Sequence, residues 1–156
     1  MKILREQPAA AGDAAVLAAS RVHEAEGSGR GSFAIFQAVR HSGPVFWVLP
    51  CHEGVRPMPR ALPPGLGDRL HLIEARNETD LLWAVEEVLR SPAPGLKIAE
   101  PTKSLSLTAG RRLQLAAEAG QTTGLLLIRE GQGSNAAETG ASFWELLRKL
   151  NVPVLP

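Results

Sequence analysis

An α/β fold on a mostly parallel five-stranded sheet is the fold class that this sequence predicts, from three observations. Five short apolar runs are bounded by turn residues, stretches of helical spacing lie between them, and Pro- and Gly-rich connections separate the two. Of the 156 residues 44% are hydrophobic and 21% charged, which suits one domain around a single core.

The first run, Arg21-Val22-His23-Glu24, is polar and is assigned as a strand from its neighbours. A helix is expected from Ser32 to His41, where Phe33, Ala34, Phe36 and Ala38 recur at 3.6-type spacing. PVFWVL, Pro44 to Leu49, reads as a buried second strand, and residues 50–67 as a proline-rich connection. LHLIEA, Leu70 to Ala75, is the third strand. Asn77 to Arg90 then forms a helix, with Leu81, Leu82, Val85, Val88 and Leu89 on one face and Glu86 paired with Arg90 on the other. LKIA, Leu96 to Ala99, is the fourth strand. A helix from about Thr108 to Ala119, ended by Gly120, leads into the fifth strand, TGLLLI, Thr123 to Ile128. The predicted organisation is an N-terminal extension over 1–20, a core over 21–150 and a tail over 151–156.

Several function classes lose support from the totals. A formal net charge of +1 gives no global field toward nucleic acid or an anionic membrane. No apolar run is long enough to cross a bilayer. One cysteine, Cys51, excludes an internal disulfide and a thiolate metal cluster. The expectation is a reduced, cytoplasmic protein without a cofactor.

In parallel sheets ligands bind beyond the carboxyl ends of the strands, which is where AEGSGRGSF falls. Gly27, Ser28, Gly29, Arg30, Gly31 and Ser32 resemble a phosphate loop at a helix N-terminus. Aligned on Ser32, however, the loop places Arg30 at the second glycine and Gly31 at the lysine of a Walker motif. Half of the clamp that neutralises charge in phosphoryl transfer is therefore missing, and ATP hydrolysis is not expected. The backbone could still hold a weak ATP or Mg²⁺ contact. Glu100, at the end of LKIAE, stands where a Walker-B-like acid would order water or metal, and Glu53 follows the second strand. Arg111 and Arg112 lie in the first turns of a helix, where cations oppose the dipole. With Phe143 and Trp144 they are candidate partner or anion contacts.

Taken in order, VHEAEG with its glycine loop, PVFWVLP, DLLWAVEEVLR and LTAGRRLQLAAEAG resemble the RecA-like ImuA family, accessories of SOS-induced mutagenic translesion repair, which is similar to the SulA cell-division inhibitors. The resemblance covers about residues 21–130. It implies a RecA-like three-layer sandwich with strand order 5-1-4-3-2, and Glu100 in place of the family's acid after the fourth strand. It also implies partners of the ImuB or RecA type. The SulA side of the resemblance implies FtsZ, and an intact RecA-like site would imply an ATP-dependent DNA-repair enzyme. SNAAETGASFW differs from the family pattern in carrying Glu138 where a basic residue belongs, and the regions flanking the core are shorter than the family's.

Overall fold

The computed structural model describes residues 16–53 and 56–129. Phe143, Trp144, the boundary at residue 150 and most of the 1–20 extension lie outside the described residues.

Strand β1 spans Val22–Glu26, helix α1 Arg30–Arg40, β2 Val45–Pro50, β3 Leu70–Ala75, α2 Glu78–Arg90, β4 Leu96–Ala99, α3 Leu107–Gly120 and β5 Thr123–Ile128. Two short 3-10 turns, Pro59–Ala61 and Gly67–Arg69, punctuate the connection from β2 to β3. Capping follows residue chemistry: the Asn77 side chain accepts from the Asp80 N–H at 2.8 Å and Ser106 from the Ala109 N–H at 3.1 Å. At the other end of α3 the left-handed residue is Gln121, with φ of 52°, rather than the expected Gly120. Gly120 is a point of close approach instead. A Cβ there would lie 2.1 Å from the Leu89 carbonyl oxygen.

All four strand pairings are parallel, and the order across the sheet is β1-β5-β4-β2-β3. The expected order, 5-1-4-3-2, is therefore corrected, and the reason lies in burial. Helices cover both faces, so an interior strand must be apolar on both sides. Every residue of β5 and of β4 is buried. By contrast β1 exposes parts of Glu24 and Glu26, and β3 exposes His71, Leu72 and Glu74. Those two strands tolerate an edge, where polar and charged side chains also discourage pairing with other chains.

Two apolar clusters flank the sheet. Phe33, Ala34 and Ala38 of α1 pack with Trp47, Leu49, Ile98, Leu125 and Leu127 on one face. On the other, Leu81, Val85 and Leu89 of α2 and Leu113, Ala116 and Ala117 of α3 pack against Val48, Ala99, Leu126 and Ile128. Within the second layer sits Lys97, only 2% exposed. Its ammonium donates to the Ala93 carbonyl at 3.0 Å and lies 4.6 Å from the centre of the Phe46 ring, which stacks on His71. Burial pushes the Lys97 pKa below its ordinary 10.5.

Two stability predictions follow from this packing. Gly120→Ala should cost about 2 kcal/mol in urea unfolding, because the added methyl meets backbone that cannot move aside. Gly110→Ala, in open space on the same helix, should be neutral or stabilising. Lys97→Met should raise stability at pH 7 by about 1 kcal/mol. With a lowered native pKa, wild-type stability climbs as pH rises toward 10.5. The advantage of Lys97→Met should accordingly shrink across that range in unfolding curves taken at successive pH values.

Candidate functional site

At the carboxyl ends of the strands a cleft of about 260 Å³ opens between the start of α1, the tips of β2 and β4, and the β2–β3 connection. Ser28, Arg30, Trp47, Arg56 and Glu100 supply its polar and aromatic lining. The sheet register explains why two of them meet. Trp47 lies opposite Ile98, and Glu100 is two residues further on, so the two side chains emerge on the same face. The Trp47 indole N–H donates to Glu100 Oε1 at 2.7 Å, and the Glu100 N–H extends the ladder to the Val48 carbonyl at 2.9 Å.

The glycine loop reverses the chain between β1 and α1. Gly27 has φ of 105°, a conformation that side chains disfavour. Gly29 precedes the helix and supplies no side-chain cap, which leaves the Gly31 and Ser32 N–H groups without intrahelical acceptors. Arg30 turns back over its own loop: its backbone N–H reaches the Gly27 carbonyl at 3.2 Å and its Nη1 reaches the same oxygen at 3.0 Å. The guanidinium therefore clamps the turn while its charge still acts on Glu100. Burial raises the Glu100 pKa, opposed by the Trp47 hydrogen bond and then by Arg30. Arg56, from the proline-rich connection, donates to Glu74 at 2.6 Å and reaches the Cys51 carbonyl at 3.5 Å. As arranged, the cleft holds two guanidiniums, each with a hydrogen bond inside the chain, and the uncapped start of α1, facing one carboxyl group of raised pKa.

The structure thus brings Gly27 to Ser32 and Glu100 to one cleft, and adds Trp47 and Arg56. Trp47 could have been found from strand parity once the register was known; Arg56 lay in a stretch that read only as a connection. Glu53 points elsewhere and is hydrogen-bonded to Arg129 beyond β5. Cys51 and His52 are exposed. Arg111 is exposed on α3, whereas Arg112 crosses to α2 and donates to Glu86 Oε2 at 2.5 Å. Arg90 holds the other oxygen of that carboxylate at 2.6 Å. Glu86 is therefore buried in the α2–α3 seam, not on the outer face where its i,i+4 spacing placed it. Among the described residues, no cluster of three or more His, Cys, Asp or Glu could hold a metal, and no helix is long and apolar enough to cross a membrane.

The raised pKa of Glu100 has a measurable consequence. The native state favours the protonated carboxyl group, so the penalty is absent at low pH and grows as pH rises through the unfolded value toward the raised native one. Glu100→Gln should unfold at higher urea than wild type at pH 7, keeping the Trp47 hydrogen bond. The two proteins should converge below about pH 4, under the ordinary glutamate range.

Comparisons with known proteins agree with the fold and go little further. No family model matches the sequence. A 25-residue segment, 16% of this chain, is 76% identical to part of a thiazole synthase from Paracidovorax citrulli (strain AAC00-1), and the match spans 9% of that relative. A crystal structure of SulA from Pseudomonas aeruginosa is similar at 20% identity with a TM-score of 0.54, over 69% of this chain and 97% of that one. The chain has a SulA-like α/β fold.

Proposed function

We propose that this chain is a non-catalytic accessory protein that acts by binding other proteins, in the manner of the SOS-induced ImuA and SulA proteins it resembles. The observation that supports this reading best is the loop itself. Its one cation, Arg30, is engaged with the Gly27 carbonyl, and no lysine follows to reach a β- or γ-phosphate. Glu100, the counterpart of a metal-ordering acid, commits one carboxylate oxygen to the Trp47 indole N–H, and burial raises its pKa. A scaffold of this kind keeps its sheet and loses its phosphate chemistry.

Two partner sets fit the reading. The sequence resemblance favours an ImuB-like protein or RecA, in translesion repair in the cytoplasm. The fold likeness to SulA over nearly all of that chain favours FtsZ and inhibition of cell division. Purified protein mixed separately with ImuB, RecA and FtsZ should bind one of them at micromolar concentration in a pull-down. If that one is FtsZ, its GTPase rate should fall. Fluorescent ATP should show no saturable binding, and no phosphate should be released with Mg²⁺ present. Phosphate release lost in a Ser32→Ala variant would replace this reading with an ATP-dependent DNA-repair enzyme.

A further inference from the structure

Away from the strand tips, a second groove of about 230 Å³ runs between α2 and α3, lined by Thr79, Leu82, Trp83, Glu86, Ala109, Arg112 and Leu113. Trp83 stands over it with 65% of its surface exposed, an unusual position for the largest apolar side chain on a helix that otherwise buries its aliphatic face. We propose that this groove docks a short acidic amphipathic helix of another protein, inserting one apolar side chain beside Trp83 and setting a carboxylate against Arg112. The inference rests on the protein-binding reading above and supplies its surface.

Size and charge choose the occupant. The groove falls below the volume that encloses a drug-sized molecule, yet it accommodates one anchoring side chain presented by a larger partner. Tryptophan and arginine are the residues that most often carry binding energy at protein interfaces. The acids of the α2 wall are engaged within the chain, Asp80 with Arg76, Glu78 through one oxygen with Thr102, and Glu86 with both Arg90 and Arg112. The α3 wall, by contrast, is basic: Arg111 and Arg112 stand in its opening turns, and its first turn holds no acidic residue. Arg112 commits one bond to Glu86 and remains 63% exposed at the side chain, so its other guanidinium N–H groups stay open to a second carboxylate. Glu86, held from the other side by Arg90, keeps that guanidinium in place before any partner arrives. Two helices fixed side by side with an apolar floor form the kind of groove into which an amphipathic helix lays its apolar stripe.

A test needs none of the three candidate partners. A random dodecapeptide library displayed on phage is selected against the full chain, with counter-selection on Trp83→Ala. Enriched peptides should carry an aromatic or aliphatic pair at i,i+3 or i,i+4 spacing next to Asp or Glu. Their synthetic versions should bind at least about tenfold more weakly to Trp83→Ala and to Arg112→Gln, with Trp83→Phe retaining most of the affinity. Unchanged thermal unfolding of Trp83→Ala and Arg112→Gln would tie the loss to the surface. Selection that yields no Trp83-dependent peptide, or basic ones, overturns the proposal. So does a photoreactive benzoylphenylalanine replacing Thr79 that, with the selected peptide present, crosslinks only to a second copy of the chain or to its own residues 130–156. Binding of acidic peptides with no capture of ImuB, RecA or FtsZ would leave this surface standing and remove the named partners instead.

Discussion

Coverage of both faces of the parallel sheet is the constraint from which the rest of this structure follows. With α1 on one side and α2 and α3 on the other, no interior strand has a face on which to place an unpaired charge. The strands consequently sort by polarity, β1 and β3 outward and β5, β4 and β2 inward. Lys97 is the instructive violation. It enters the middle strand because its ammonium lies over the Phe46 ring and finds the Ala93 carbonyl, and the direction of its lowered pKa reflects the burial that these contacts do not offset.

The same constraint decides where chemistry could sit. Polar groups that the sheet cannot bury collect where the strands stop, so Glu100 meets Trp47 at the tip of β4 and the glycine loop closes over them. Between the outer helices the polar solution is different. Glu86 is buried there only because two arginines hold its two oxygens, and Gly120 brings the α3 backbone against Leu89. One end of the molecule is thus a charged cleft and the α2–α3 face a clamped, partly apolar groove. The two are built from different residues and can be altered separately.

Much of this was legible in the sequence. The second to fifth strands and the three helices lie where apolar periodicity and turn residues placed them and the first strand where its neighbours did, with ends shifted by one or two residues; at α2 the shift is the Asn77 cap, which stands just outside the helix it starts. Strand order was not legible from the resemblance, although the polarity of VHEAE against the six buried residues of TGLLLI carried the signal. The glycine loop and Glu100 were readable because their chemistry is local. Trp47, Arg56 and the burial of Glu86 were not, since each depends on a neighbour distant in the chain: Trp47 on the β2–β4 register, Arg56 on Glu74, and Glu86 on an arginine 26 residues away. Arg112 shows the limit most clearly. A cation in the first turns of a helix looks costly when the helix is considered alone, yet a carboxylate from α2 offsets that cost.

Arg30 bears on function through what it is already doing. A lysine in a phosphate loop is useful because its ammonium is compact, flexible and left free until a triphosphate arrives. Arg30 instead closes the turn that Gly27 begins, with its backbone N–H and one guanidinium N–H on a single carbonyl, so swinging that guanidinium onto a phosphate as a lysine swings would break one of the loop's own bonds. The anion-binding geometry of the helix start persists in the Gly31 and Ser32 N–H groups, but the mobile charge does not. What such a loop does well is hold the first helix at a fixed angle to the sheet. On the protein-binding reading proposed above, a first helix held in this way would present a surface, whereas a loop that opened and closed with each turnover would have to break these bonds.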